Sequence, residues 1–454
     1  MEMAGERHRL GGLTGFFIVW LGQIISILAS GMTQFALTIW MYEQTKSAFA
    51  LGLMQVFYIT PFLIISPIAG VMVDRYNRKL MMMVSDLAAG LGTVAVLVLW
   101  SQGLLQFWML YAVSALLGIG NAFQWPAYSA AITTMVSKEN YGRANGLMGL
   151  MESGPGVFSP LLAGVLLPIV GLTGILVFDV ATFVIAIGAL LIVHIPQPKR
   201  TVEGQKESGN FLREAGYGFT YIFQRPSLLG LQLVFLFGNL FTGIGFTLLA
   251  PMVLARTGSD AASLGAVMTA GAVGGVVGGV AVSIWGVLKR KVYGVLGGWV
   301  LTGVGFSLFA LGQGVPVWAM MALLTAMAGP LVNASNQAIW QSKVAPDVQG
   351  RVFSARRLIA WATNPISPLI AGGLADFWLE PAMKSSTFVA AVFGPVFGTS
   401  SGSGMSLLIF FCGIAITITG IAAFFFPAIR NAEDILPDHD TMELAEAPAA
   451  PAMG

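Results

Sequence analysis

Three carboxylates, Asp86, Glu152 and Asp179, stand inside long apolar runs of this 454-residue chain. An ionised side chain in hydrocarbon costs roughly 2.5–3.5 kcal/mol or more, so such residues face a cavity or a partner and often mark an ion path. Low dielectric favours the neutral carboxyl, so an acid whose water exposure alternates can take up and release a proton. Glu152 suits that chemistry best. It stands about eleven residues, or roughly 16 Å, into its run and so near the middle of a bilayer. Ser153-Gly154-Pro155-Gly156 follows it, a string expected to kink the helix and loosen the backbone beside the acid. The alternative for Glu152 is a permanently protonated group bonded to a neighbouring helix. Asp86 and Asp179 lie nearer the ends of their runs, where snorkelling or capping gives them structural roles.

A second string, Gly70-Val71-Met72-Val73-Asp74-Arg75-Tyr76-Asn77-Arg78-Lys79, follows the second apolar run. Gly70 removes a side chain where two helices approach. Asp74 offers a carboxylate to a facing helix N-terminus, worth roughly 0.3–1 kcal/mol when exposed and about 2 when partly buried. Arg75, Arg78 and Lys79 alone would be ordinary cationic anchors, but topology asks for no acid beside them. The related loop Trp285-Gly286-Val287-Leu288-Lys289-Arg290-Lys291 keeps the cations and lacks the acid, so any latch is asymmetric.

No catalytic centre, metal site or cofactor is expected. Cys412 is the single cysteine, His8, His194 and His439 are far apart, and no nucleophile–base pair falls within the apolar runs. No GxxxxGK phosphate loop occurs, so energy for any transport comes from an ion or substrate gradient. Gly271, Gly275 and Gly279, with Gly274 and Gly278 beside them, imitate a nucleotide fingerprint but lie in an apolar run, where small residues at every fourth position serve helix packing.

The elements that must position these groups are membrane helices. Hydrophobic residues make up 56% of the chain and charged ones 10%, far from soluble averages. Runs long enough to span a bilayer are predicted near 14–41, 48–73, 79–101, 104–134, 141–168, 172–195, 226–255, 259–287, 291–313, 316–343, 350–376 and 404–427. With this topology all 23 Lys and Arg except Lys46, Arg256 and Lys384 fall on one side, the cytoplasmic side of a bacterial cytoplasmic membrane, with both termini cytoplasmic. The first run is too long for a cleavable signal peptide and is expected to remain. Basic residues are dispersed as loop caps, which excludes nucleic acid as a partner.

The expected organisation is a bundle over 1–195, a cytoplasmic linker over 196–225 with an amphipathic helix at 211–224, a second bundle over 226–427, and a disordered acidic tail over 428–454. A long loop at 377–403 is expected outside. The bundles are repeats. Gly142-Arg143 precedes Ser159-Pro160-Leu161-Leu162-Ala163-Gly164 at the same offset at which Gly350-Arg351 precedes Ser367-Pro368-Leu369-Ile370-Ala371-Gly372. The fifth and eleventh segments are therefore equivalent, as in transporters built from two six-helix halves.

The 70–79 string fills every fixed position of GxxxDRxxRK and resembles the signature of the major facilitator superfamily. The resemblance implies an all-α fold of twelve transmembrane helices in two pseudo-symmetric six-helix bundles. It also implies that Gly70, Asp74, Arg75 and Arg78, with Arg351 at the mouth of the eleventh helix, latch the cytoplasmic side. Gly154-Pro155 resembles a degenerate form of the antiporter motif of drug exporters, with Val157-Phe158-Ser159 in place of its later glycines. The first, fourth, seventh and tenth helices are central in this fold, which makes Gln34, Asn121, Gln124, Trp125, Asn239, Asn333, Asn336, Gln337 and Trp340 candidate cavity residues. With no Lys or Arg expected at mid-depth, the pocket should be broad and uncharged. The ending Phe426-Pro427-Ala428-Ile429-Arg430 and the loop lengths resemble the macrolide-efflux and enterobactin-exporter group. That resemblance implies a monomeric exporter, embedded in the lipid bilayer, that exchanges protons for an amphipathic small molecule. A passive facilitator such as a lysophospholipid flippase, and a non-transporting ligand sensor, are the alternatives.

Overall fold

The computed structural model describes residues 12–136, 141–195, 218–344, 349–384 and 387–436, and every regular element among them is helical. This follows from the apolar runs: in hydrocarbon each backbone N–H and C=O must be satisfied within the protein, and a helix does so locally. The first repeat contributes α1 (Gly12–Thr45), α2 (Ala48–Arg75), α3 (Arg78–Ser101), α4 (Met109–Met135) and α5 (Tyr141–Ile192). The second contributes α6 (Pro226–Thr257), α7 (Ala261–Trp285), α8 (Lys291–Leu311), α9 (Val315–Lys343), α10 (Gln349–Trp361) and α11 (Ser367–Leu374). A π-helical turn, Ala375–Leu379, then leads to α12 (Glu380–Lys384), α13 (Phe388–Phe397), α14 (Ser403–Phe425), α15 (Pro427–Arg430) and α16 (Ala432–Ile435).

Among the described residues nine helical stretches are long and apolar enough to cross a membrane. One of them, Ser153–Ile192, has 40 residues and room for two crossings. With α4 and the broken pair α10–α11 the twelve predicted spans are accounted for. Inside α5 the one residue outside helical backbone angles is Gly171 (φ 66°), where the fifth span turns into the sixth. The kink expected at Ser153–Gly156 is absent as a backbone break: Pro155, Pro160 and Pro168 stay within the helix. Proline's fixed φ is compatible with helix, so the hydrogen bond it forfeits and its crowding of the carbonyl four residues back can bend a helix without breaking it, whereas glycine adopts the positive φ of the hairpin without steric cost.

The chain forms two compact units. Unit 1 spans residues 1–201 with 247–272 and 368–406; unit 2 spans 202–246, 273–367 and 407–454. Unit 1 packs α1 against α5 around Phe16, Val19, Met82, Ala122, Met148 and Leu190. Unit 2 packs α8 against α9 around Leu231, Val295, Trp299, Ile339, Trp340 and Ile416. Lipid offers apolar side chains as good a home as another helix does, so close backbone approach and polar bonds carry helix association. Gly274 and Gly278 of α7 abut the carbonyls of Leu323 and Met327 of α9, leaving no room for a Cβ, while Gly275 and Gly279 have nothing within 4 Å. The packing face is therefore one residue off the expected 271–275–279 row.

The repeat is visible in contacts as well as in letters. In unit 1 the Ser159 hydroxyl donates to the Leu28 carbonyl (2.9 Å) and rests on Gly31. In unit 2 the Ser367 hydroxyl donates to the Leu240 carbonyl (3.1 Å) and rests on Gly243.

Two expectations change. The outside loop at 377–403 is mostly helical, formed by the π-turn, α12 and α13. The tail does not become disordered at 428. Glu433 accepts from the Val292 amide (2.9 Å) at the start of α8 and pairs with Lys291 (3.4 Å), while Asp434 pairs with Arg290 (3.2 Å). Lys343 donates to the carbonyls of Glu433 (2.6 Å) and Leu436 (2.5 Å). Glu433 and Asp434, expected in a disordered tail, are instead a helix cap and ion-pair partners. Residues 437–454 lie outside the described residues, as does the linker except 218–225, of which 218–223 are helical.

Candidate functional site

In unit 1 two of the three intramembrane acids are deeply buried. Asp86, 8% exposed, accepts from Gln23 Nε2 of α1 (2.5 Å) and, at 3.5 Å, from Gln124 Nε2 of α4; Gln124 also donates to Gln23 Oε1 (3.3 Å). Tyr128, one turn along α4, lies within the field of Asp86, and its hydroxyl has no hydrogen-bond partner among the described residues. Asp179, 2% exposed, accepts from the hydroxyls of Ser30 (2.8 Å) and Thr93 (2.9 Å). Neither acid snorkels or caps a helix end. Each joins three elements through neutral donors, and no ion pair among the described residues includes either one.

One end of unit 1 carries a second constellation. Asp376, in the π-turn, accepts from the Ser47 hydroxyl (2.5 Å) and from the amides of Ala48 (3.1 Å) and Phe49 (2.9 Å). Ser47 in turn accepts from the Ala50 amide (3.0 Å) as N-cap of α2. A carboxylate from the second repeat thus closes the N-terminus of a helix of the first, where the helix dipole favours negative charge. Backbone contact reinforces it: Gly52 packs on the Pro368 carbonyl and Gly372 on the backbone of Phe49. The three cations that broke the charge asymmetry belong to this end. Lys46 donates to Ser259 (3.2 Å), Arg256 to the Phe397 carbonyl (2.8 Å), and Lys384 pairs with Glu380 (3.6 Å). Glu380 also accepts from the amides of Gly402 (3.2 Å) and Met405 (3.1 Å) at the start of α14.

In unit 2 two of the predicted amides, Asn239 and Gln337, reach α10, and so does Gln232, which was not among them. Asn239 donates to the Ala360 carbonyl (3.0 Å) and Gln232 to the Arg356 carbonyl (3.0 Å), which fixes the backbone of α10. Gln337 accepts from Arg356 Nη2 (2.8 Å), and Trp340, fully buried, donates to Asn336 Oδ1 (3.0 Å). Arg356 therefore brings a guanidinium among these amides, about two turns into α10. The pair Arg356-Arg357 precedes the apolar part of its segment, and so in sequence it looks like a cationic cap.

Of the other predicted cavity residues, Asn121 and Gln34 are exposed, and Asn333 is spent on its own helix at the Gly329 carbonyl (3.1 Å). Gly70, Asp74 and Arg75 belong to the last turns of α2, Arg78 to the start of α3, Arg351 to the start of α10, Trp125 to α4 and Glu152 to α5. Their side chains lie outside the described residues. Asp376 and Arg356 were missed in the sequence, the first because it stands at the very end of the eleventh predicted span, where an acid reads as an exposed helix terminus.

Comparison with known proteins agrees with this architecture. Residues 19–368 match the model of the Major Facilitator Superfamily. Macrolide efflux protein A of Streptococcus pyogenes is 27% identical over 367 residues, 80% of this chain and 89% of that protein. Multidrug efflux pump Tap of Mycolicibacterium fortuitum is 24% identical over 328 residues, 70% of this chain and 78% of that one. Enterobactin exporter EntS of Shigella flexneri is 27% identical over 221 residues, 48% of this chain and 52% of that one. Among solved structures, a bacterial homologue of the human lysosomal transporter Spinster, inward-facing and unoccupied, superposes with a TM-score of 0.67 at 17% identity, over 92% of this chain and 98% of that one. The chain belongs to the major facilitator superfamily and is a multi-pass membrane transporter.

Proposed function

We propose that this transporter exports an amphipathic small molecule across the bacterial cytoplasmic membrane in exchange for protons, as a monomer with both termini cytoplasmic. The observation that carries the proposal is Asp86. It is a carboxyl within the membrane domain held, among the described residues, by neutral amides, and the Tyr128 hydroxyl of α4 in its field has no hydrogen-bond partner among them. An acid without a cationic partner can change protonation without leaving an uncompensated charge behind. Glu152 of α5 is the second candidate for the same task. The efflux and exporter names of the relatives favour outward transport of drugs or natural products.

Alternating access needs a bond set at each face that forms in one state and breaks in the other. Asp376 on the N-terminus of α2 supplies the outer one. Gly70, Asp74, Arg75, Arg78 and Arg351 are assigned to the cytoplasmic one, which uses the same chemistry of an acid at a helix mouth. The two acids at opposite ends of α2 and the eleventh span make the latches reciprocal, so strengthening one biases the transporter against the other.

The test is flux in proteoliposomes with an imposed pH gradient. Asp86→Asn and Glu152→Gln are each compared with the unaltered protein for proton-driven and for passive exchange. Loss of proton-driven flux in one variant, with passive exchange retained, identifies the coupling residue. Full proton dependence in both variants removes both from the mechanism, and flux that survives collapse of the gradient in the unaltered protein favours a passive facilitator.

A further inference from the structure

Arg356 is a charge in the membrane domain whose hydrogen bonding is incomplete. Its Nη2 donates to Gln337 Oε1 (2.8 Å), yet Nη1 is buried with no hydrogen-bond partner among the described residues. No ion pair between described residues includes it. A guanidinium taken from water without a counter-charge is costly, and a buried donor left unbonded costs a further 1–3 kcal/mol or so. Such a group persists where something offsets the loss.

The surroundings hold it in place without neutralising it. The guanidinium lies 5.4 Å from the Trp340 ring centre and 5.3 Å from that of Phe353. Trp340 is itself fixed by its bond to Asn336, and the Arg356 carbonyl by Gln232. The Gln337 carbonyl oxygen anchors one end of the guanidinium. Neighbouring cations of unit 2 are used differently. Arg357 is exposed and lies 4.0 Å over the Trp361 ring, Arg225 donates to the Tyr221 carbonyl (3.1 Å), and Arg290 and Lys291 pair with acids.

We propose that Arg356, with Gln337, Trp340 and Phe353, is an oxyanion subsite that recognises a carboxylate, sulfate, phosphate or ionised phenol carried on an apolar body. The planar fork of Nη1 and Nη2 matches two oxygens of such a group, the half-buried Phe353 ring flanks its apolar part, and the buried Trp340 backs the guanidinium. Assigning the oxyanion to the exported cargo rests on the export reading; a lipid headgroup offers the same chemistry.

The experiment uses a matched pair of fluorescent probes, dansyl-phenylalanine and its methyl ester, which differ by one carboxylate. Binding is read by fluorescence anisotropy with the full-length protein in nanodiscs of phosphatidylcholine. The unaltered protein is expected to bind the acid at least about tenfold more tightly than the ester. Arg356→Gln should reduce that preference to about twofold or less while leaving ester affinity and melting temperature unchanged. Arg356→Lys, which keeps the charge without the fork, should fall between. Gln337→Met provides a second variant should Arg356→Gln fail to fold, with an expected loss of severalfold in acid affinity alone. Equal binding of acid and ester by the unaltered protein, including no binding of either, overturns the subsite, as does an acid preference that survives Arg356→Gln. Adding phosphatidylglycerol to the nanodiscs separates the sources: competition assigns the site to a bilayer headgroup, persistence of binding to a soluble cargo. Acid-selective binding without flux in proteoliposomes leaves the subsite standing and removes the export reading. Flux that ignores Arg356 does the reverse.

Discussion

The two units bury charge in opposite ways. Unit 1 holds carboxylates, Asp86 and Asp179, each bonded to neutral donors from separate helices. Unit 2 holds a guanidinium with one nitrogen bonded to an amide and the other to nothing among the described residues. A buried polar group with its bonds complete is a fastener that can also hold a proton, because only its own charge changes. A buried cation with bonds to spare stabilises nothing by itself and is suited to a ligand that completes it.

The comparison breaks or sharpens first on stability. Asp86→Leu removes the acceptor of two amides and should cost about 1–3 kcal/mol, seen as a lower melting temperature in detergent. Arg356→Met, similar in length and apolar, should be neutral or raise the melting temperature, since an unpaired charge is removed. A loss in Arg356→Met as large as that in Asp86→Leu would make the guanidinium a fastener too, and the contrast between the units would vanish.

The next effect concerns an acid of unit 1 whose partners are backbone amides. Asp376→Ala strips the N-terminus of α2 of its carboxylate, a loss of about 1–2 kcal/mol for a partly buried cap. Ala48, fully buried beside it, reports the change. In a Cys412→Ser background, Ala48→Cys should react with an external maleimide severalfold faster once Asp376 is gone. Unchanged labelling would mean that the Gly52 and Gly372 contacts close this end without the acid.

Much of this was legible in the sequence. Runs of about 20 apolar residues force helices, and the Ser159 and Ser367 strings gave the repeat because the same contact is made twice. That Asp86 and Asp179 lie in apolar runs was legible, but their bonds were not, nor that both stand well inside their helices and not at the ends expected of them. Gln23, Ser30 and Thr93 look like ordinary residues on three different helices, and only packing brings them to the acids. The glycine row of α7 showed its period but not its face, since glycines at both 274–278 and 275–279 satisfy the same spacing. Arg356 escaped because the sequence cannot say whether an arginine near a helix start turns back to water or inward. Asp376 escaped because, as the last residue of the 350–376 run, it looks like an acid facing water, and the sequence does not show that Ser47 and the start of α2 lie against it.

The smallest predicted effect tests whether the units, so different in charge, still share one frame. Ser159→Ala and Ser367→Ala each remove a single interhelical bond, from hydroxyl to carbonyl, between a glycine-paired helix and its neighbour. Bonds of this kind within membranes are worth about 0.6 kcal/mol on average. Alanine keeps the Cβ of each serine against Gly31 or Gly243, so the close approach survives and the net loss should be small and, above all, equal. The two serines lie in different units and share no partner, so the double variant should lose the sum of the single losses. Melting curves of the three variants check this. If one serine proves several times costlier than its twin, the contact was retained for a function on that side alone, and the comparison of the units would have to extend to their framework.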